Sequence, residues 1–474
     1  MALVHHFYLN DEEIHTAEPA GTLVLDFVRR HAKLTGTKEG CREGDCGACV
    51  VLVGELLSGR IVYKPVTSCL MPLGEAHGKH LVTVEGLNNN EPNGEPLSPV
   101  QQAIVDEGAT QCGFCTPGIV VSLTGFVMQD DVSIDTEGVK MALGGHLCRC
   151  TGYRSLKASA GLLQQSVGAA TGVAALVERG MLPAYFEVMP ERLRTIPPQG
   201  IQNGQAAPSF VIAGGTDLYV QRGEAIPEAS VHVLNLHPEM KGIAKKNSML
   251  RVGALTTFEE FARHPDIQAL IPAIEDYMFL IASWQIRNRA TLGGNLINAS
   301  PIGDVTILLL ALDADLVLKD GDQARTVPLT QFYKGYKQLD KTPSEILTEI
   351  LIPVPEAATK INWEKVSKRK CLDIATGNSA LRLRCEDGVI REAALTMGGV
   401  APVPLFMTRT SAFLVGKPVS AETVEAAMPV AQSEIAPISD VRGSAAYKRL
   451  LVRQFLMAHF TRLFPKWVKA EAFY

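Results

Sequence analysis

The sequence predicts a multidomain α+β protein, on three observations. The first is length: 474 residues is too much for one ordinary core, at roughly 150 residues per domain. The second is composition, since 46% hydrophobic and 20% charged residues supply several apolar cores and exclude a disordered chain. The third is a change of pattern along the chain, from β-rich runs around one helix, to helix signals, to strands alternating with helices. Forty-five Lys plus Arg oppose 50 Asp plus Glu, a net charge of −5, and no basic run offers itself to nucleic acid.

In chain order, Leu3 to Leu9 reads as a strand and Thr22 to Ala32 as a helix with Leu23, Phe27 and Val28 at helical spacing. Val50–Val53, Arg60–Val66 and Leu81–Val84 are further short strands, so residues 1–84 form a small sheet crossed by a helix. Residues 85–165 turn helical: Ser98-Pro99 and Thr116-Pro117 each place a capping residue before a proline at the first helical position. Ala158 to Val177 carries no charge, but its serines, glycines and glutamines fit a helix end running into a linker, residues 166–183, better than a membrane span. A third region, 184–355, alternates strands and helices from Phe210 onward. A fourth, 360–470, has strands near Ala380–Arg384 and Ala393–Met397 and then amphipathic helices. The opening Met1-Ala2-Leu3-Val4-His5-His6 lacks the basic and apolar segments of an export signal, so the expected location is the cytoplasm, with no membrane partner.

Eight of the ten cysteines lie in the first 150 residues. Without an export signal, metal ligation is a better use for them than disulfides. Cys41-x4-Cys46-x2-Cys49, with Cys69 after 19 intervening residues, is the spacing of a plant-type [2Fe–2S] site. Gly40, Gly44 and Gly47 let the backbone wrap a bulky inorganic core and aim N–H groups at sulfur. Cys112-x2-Cys115 and Cys148-x-Cys150 form a second set, which by itself fits one zinc as well as a second cluster. Cys115 precedes Thr116-Pro117, so its sulfur sits near a helix N-terminus, where the dipole favours thiolate. His146 reads as a surface histidine, and Cys371 and Cys385 as buried apolar fillers.

Two glycine loops follow. Ser209-Phe210-Val211-Ile212-Ala213-Gly214-Gly215-Thr216-Asp217-Leu218 is an apolar strand entering a turn whose N–H groups can face a pyrophosphate. Ala290-Thr291-Leu292-Gly293-Gly294-Asn295 is the second. Neither is the G-x-G-x-x-G fingerprint, and each alone also reads as an ordinary turn. The sequence holds no Gly-x-Ser-x-Gly, His-Glu-x-x-His or P-loop, which leaves hydrolase and kinase chemistry without support and no acid–base pair to assign.

The runs Glu39–Cys49, Gln111–Gly118 and Cys148–Tyr153 closely resemble the iron–sulfur half of the molybdenum hydroxylases, the xanthine dehydrogenase family, and the paired glycine loops resemble its flavin domain. The resemblance implies a β-grasp, ferredoxin-like domain holding one [2Fe–2S] cluster on Cys41, Cys46, Cys49 and Cys69. It implies a helical bundle holding a second, nearer the molybdenum, on Cys112, Cys115, Cys148 and Cys150. It further implies a two-part α+β FAD-binding domain and an α+β C-terminal flavoprotein domain. FAD contacts fall by that resemblance at Val211, Ile212, Ala213, Gly214, Gly215, Thr216, Asp217 and Leu218. They continue at Thr291, Leu292, Gly293, Gly294, Asn295, Asp304, Leu347 and Lys365. Where some members set an aromatic ring against the flavin, this sequence has Ile281.

The family's molybdopterin domains need several hundred further residues, and the sequence ends at Tyr474. It therefore resembles the small, electron-transferring subunit of a split bacterial-type xanthine dehydrogenase. That implies a large molybdopterin-binding partner carrying the molybdenum cofactor, in a dimer of heterodimers. Electrons from hypoxanthine or xanthine would pass through the second cluster, the first cluster and FAD to NAD⁺. The alternatives are a relative acting on an aldehyde, an N-heterocycle or carbon monoxide, and a zinc-stapled scaffold without redox work.

Overall fold

A computed structural model describes residues 4–88, 97–130, 132–168, 171–198 and 208–473; Leu3, the expected start of the first strand, lies outside them. The chain divides into two units, Met1–Leu236 with Ser283–Ala290, and His237–Ala282 with Thr291–Tyr474.

The first unit opens with β1 (His5–Leu9), β2 (Glu12–Thr16), β3 (Val50–Leu57), β4 (Arg60–Thr67) and β5 (His80–Val82), in the order β2-β1-β5-β3-β4. β1 and β5 run parallel and the other pairs antiparallel. A helical segment, Val24–Asp26 continuing as a wider-pitched turn over Phe27–His31, lays Val24, Phe27 and Val28 onto Phe7, Leu9, Val51, Val53, Val66 and Leu81. This is the expected β-grasp arrangement, and each fully buried Leu, Val or Phe stabilises it by about 1.5–3 kcal/mol.

Helices Pro99–Asp106, Thr116–Val127, Thr136–Leu143 and Arg154–Val167 form the expected bundle around Ile104, Leu123, Phe126, Leu156 and Leu163. Ser98 caps the first with a full capping box. At the second helix the cap is Cys115, not Thr116, whose hydroxyl instead bonds Thr110 at 2.7 Å. Within the expected linker, 166–183, residues 169 and 170 lie outside the described ones, and residues 173–182 are packed: helix Val173–Glu178 buries Leu176, and Leu182 follows it into the bundle core. The sequence signal failed because glycines and alanines hide a one-sided apolar pattern this short. Helix Tyr185–Arg194 likewise belongs to the first unit, where Met189 and Leu193 pack on Tyr8. Among the described residues no helix is long and apolar enough to cross a membrane. The first unit closes with a parallel pair, β6 (Phe210–Ile212) and β7 (Val231–Val233).

The second unit holds an antiparallel sheet of β8 (Ile243–Lys246), β9 (Met249–Gly253), β10 (Asp315–Asp320), β11 (Gln323–Pro328) and, after a short hairpin of β12 (Tyr333–Gly335) and β13 (Gln338–Leu339), β14 (Ile346–Pro353). Its order is β11-β10-β14-β9-β8. A further sheet runs β15 (Thr359–Val366), β16 (Gly377–Glu386), β17 (Val389–Gly398), β18 (Leu405–Phe406), and helix Ala445–Leu463 packs Leu451, Val452, Phe455 and Phe460 into the core beside it. Cys385, expected to be buried, is only half-buried on β16, and Cys371 is half-buried in a loop.

Candidate cofactor sites

The loop between the first helical segment and β3 carries Cys41, Cys46 and Cys49, and Cys69 lies in the turn after β4. Gly44 and Gly47 take φ of +79° and +68°, a region costly for residues with a Cβ, and a Cβ on Gly40 would stand 2.7 Å from the Cys46 sulfur. Backbone N–H groups of Glu43 and Cys46 donate to Cys41 Sγ at 3.3 and 3.4 Å. The neighbouring Cys46 thiol and these N–H groups pull the Cys41 pKa down to about 5, so this sulfur is poised as thiolate. Cys49 and Cys69 face each other, and the proton they share lowers the first and raises the second.

In the bundle, Cys112 and Cys150 sulfurs lie 3.6 Å apart. Cys115, the N-cap of its helix, hydrogen-bonds Cys148. Cys148 also approaches the Thr151 hydroxyl at 3.3 Å. All ten cysteines are free thiols. Two groups of four sulfurs, each wrapped by positive-φ glycines and N–H donors, fit two thiolate-bound iron–sulfur clusters.

The two groups touch through backbone. Leu147 N–H donates to the Cys46 carbonyl at 3.1 Å, so a ligand position of one set is one hydrogen bond from the residue preceding Cys148. A Cβ on Gly118, three residues after Cys115, would meet the Gly47 carbonyl at 2.2 Å, so only glycine permits this approach. His146, expected at the surface, is 2% exposed. Its Nε2 lies 2.7 Å from the Ser122 hydroxyl, and burial lowers its pKa to about 3, keeping it neutral. It packs against Gly47, which a single sequence could not reveal.

Sequence reasoning also passed over Ser283–Ala290, eight residues that sit in the first unit while both flanks sit in the second. Gln285 donates to the Ser122 hydroxyl at 2.9 Å and the Ala142 carbonyl at 2.8 Å. Asn288 donates to the Pro65 carbonyl on β4 at 2.9 Å, and Ile286 lies against Gly44 and within reach of Leu70 and Cys69. Arg289 donates to Glu75 at 2.9 Å and to the Gly214 carbonyl at 2.7 Å. Lys79 completes the ionic group, 2.6 Å from Glu55 and 3.1 Å from Glu75. Burial alone would raise the Glu75 pKa, but Arg289 and Lys79 outweigh it and bring it down to about 2. A Trp-Gln-x-Arg-Asn-Arg run rich in buried-capable polar groups was the available signal.

The first glycine loop runs from β6 into helix Leu218–Arg222. A Cβ on Gly214 would fall 2.0 Å from the Arg289 carbonyl and Gly215 holds φ of +72°, so the turn is built for bare backbone, as a close-lying phosphate chain requires. Val211 is exposed, and Ile212 is buried.

In the second unit, Thr291 caps helix Leu292–Asn298 by accepting from Gly294 N–H at 3.0 Å. Asn295 accepts from Thr306 at 2.8 Å. Asp304 is held by Lys365 at 2.7 Å and by Asn378 at 2.7 Å. Lys365 donates also to the Leu280 and Asp373 carbonyls, at 2.9 and 2.8 Å, so its three N–H bonds are all used within the protein. It thus fixes the orientation of Asp304. Leu347 and Ile281 are 4% and 3% exposed, both core side chains here.

Family models match four successive stretches of the chain. A 2Fe-2S iron-sulfur cluster binding domain matches residues 7–73, a [2Fe-2S] binding domain 83–160, an FAD binding domain in molybdopterin dehydrogenase 201–355, and a CO dehydrogenase flavoprotein C-terminal domain 364–463. Xanthine dehydrogenase of Blastobotrys adeninivorans is 29% identical over 97% of this chain and 41% of its own length. Aldehyde oxidase 1 of Bos taurus is 28% identical over 95% of this chain and 38% of its own length. The chain thus spans about two-fifths of the length of these relatives. Carbon monoxide dehydrogenase from Hydrogenophaga pseudoflava superposes with a TM-score of 0.50 at 30% identity, covering 52% of this chain and 86% of that one. Quinoline 2-oxidoreductase from Pseudomonas putida 86 does so at 0.50 and 27%, covering 53% and 88%. The chain belongs to the molybdenum hydroxylase family. Within it, this is an iron–sulfur and FAD-binding module of an oxidoreductase.

Proposed function

We propose that this chain is the electron-transfer module of a cytoplasmic xanthine dehydrogenase, serving a separate molybdopterin-binding large subunit in a dimer of heterodimers and delivering electrons to NAD⁺. Cys112, Cys115, Cys148 and Cys150 would hold one [2Fe–2S] cluster, and Cys41, Cys46, Cys49 and Cys69 the other. The glycine loops Val211–Leu218 and Thr291–Asn295, with Asp304, would hold FAD. When bound, clusters supply one-electron carriage and flavin supplies conversion to a two-electron hydride. The protein's part is to fix positions: Leu147 N–H on the Cys46 carbonyl holds the two cysteine sets adjacent, and that contact is the observation that carries the reading. Lys365 and Asn378 hold Asp304 in one orientation, and Arg289 pins the Gly214 carbonyl.

Identity near 29% to xanthine dehydrogenase supports the purine substrate, and aldehyde oxidase at 28% supports the second reading almost equally. Anaerobic titration of the chain with NADH, followed by visible and paramagnetic resonance spectra, is expected to reduce FAD and two distinguishable clusters. Zinc in place of iron, with no yellow flavin, overturns the redox reading. Assay with the large subunit against xanthine and aldehydes tests the substrate, and activity on aldehydes alone rejects the purine assignment.

A further inference from the structure

One face of the first hairpin carries three side chains that neither cysteine set nor either glycine loop uses. β1 and β2 pair so that His6 stands opposite His15 and Tyr8 opposite Glu13, and the two-residue alternation of strands puts all four on the same face. Glu13 Oε1 lies 2.7 Å from His6 Nε2 and 3.2 Å from His15 Nε2. The imidazole rings stack with centroids 3.9 Å apart.

We infer that His6, Glu13 and His15 form a binding site for a divalent transition-metal ion of the zinc class. Each offers one ligand atom, and the three atoms lie within 4.8 Å of one another. Bonds of about 2.0–2.2 Å at tetrahedral angles set ligand atoms roughly 3.3–3.5 Å apart, against the 2.7 and 3.2 Å that separate Glu13 from the two imidazoles here. Two imidazoles and one carboxylate suit zinc, copper or nickel, whereas magnesium and calcium take all-oxygen shells. Three protein ligands leave a position for water.

The site is prepared by the sheet rather than assembled from loops. Cross-strand pairing fixes His6 against His15, which limits the ordering cost of closing on an ion. Arg192, over the Tyr8 ring at 5.7 Å, is bonded to the Asp11 carboxylate at 2.6 Å, which opposes its field. β2 is the edge strand of its sheet, so an ion here clips that edge to β1.

The probe is zinc, added to the full chain carrying its iron and flavin, and measured by equilibrium dialysis with metal analysis. The His15 side chain is 57% exposed, so His15→Ala removes a ligand without touching the core. The parent is expected to take up about one zinc per chain more than the His6→Ala/His15→Ala double variant. His15→Ala is expected to weaken binding about tenfold or more, which is about 1.4 kcal/mol. Zinc should raise the thermal midpoint of the parent and leave that of the double variant in place, with iron and flavin contents equal throughout. Equal zinc uptake and equal midpoint shifts in parent and double variant overturn the site.

Discussion

The first cysteine set is the more enclosed of the two: its Cys41 and Cys46 are half-buried and its other two sulfurs sealed, whereas the second has Cys148 buried, Cys115 half-buried and its other two sulfurs in the open. Cys49 and Cys69 are 2% and 1% exposed, walled by Leu23, Leu25, Leu70 and Ile212. Cys112 and Cys150 are exposed, and Phe114 and Leu147 beside them are 48% and 47% exposed. The ligand chemistry is the same, so the difference lies in solvent access and local dielectric, which tune cluster potential and lability. Under the proposed function, the more enclosed site would trade electrons inside the chain. Open sulfurs with apolar neighbours suit the face toward the proposed molybdenum partner.

Arg289→Met breaks this contrast most severely. Both members of the pair are buried, with side chains 2% and 7% exposed, so the change leaves Glu75 to share Lys79 with Glu55 and is expected to destabilise the first unit by up to about 3–5 kcal/mol in denaturant unfolding. A loss below 1 kcal/mol would show that enclosure does not depend on this ionic group. The same group predicts acid sensitivity. Glu75 has its folded pKa, about 2, below the ordinary carboxylate value of 4.5. Its contribution is therefore present above about pH 4.5 and lost as pH falls toward 2, up to roughly 3 kcal/mol. Unfolding curves of the parent and Glu75→Gln should converge over that window, and a constant gap contradicts the assignment.

Iron removal sharpens the comparison at smaller scale. A chelator acting on the loaded chain is expected to strip the open set at least about tenfold faster than the enclosed one, equivalent to about 1.4 kcal/mol of protection. Paramagnetic resonance distinguishes the two clusters, and equal rates would deny the contrast. The smallest effect is at Ser98, which caps a bundle helix. Ser98→Ala should cost about 1 kcal/mol and leave both iron sites filled, measured by denaturant midpoint and iron content.

Much of this was legible from residues alone. Thiolate spacing is local, so Cys41-x4-Cys46-x2-Cys49 announces its chemistry without a fold, and Ser98-Pro99 announces its helix because capping involves only near neighbours. Helix Val173–Glu178 was hidden, since a six-residue segment carries too little periodicity to separate from a linker. His146 looked solvent-facing because burial depends on what packs over it, here Ser122 and Gly47 from distant positions. For Lys365 the sequence could not show that its ammonium is bonded to Asp304, Leu280 and Asp373, partners far from it in the chain or across a turn.

The sequence by itself determined which atoms are available: eight thiols in two spaced groups, glycines where a Cβ is forbidden, and apolar runs enough for several cores. Only the tertiary structure decided which cysteines are sealed and which face water, and that Leu147 binds the Cys46 carbonyl. It also decided that Ser283–Ala290 anchors the first unit, joining β4, the bundle and Gly214. The reason is physical: ligand identity and turn preference are properties of neighbouring residues, whereas burial and charge pairing arise between groups far apart in the chain and exist only once it has folded.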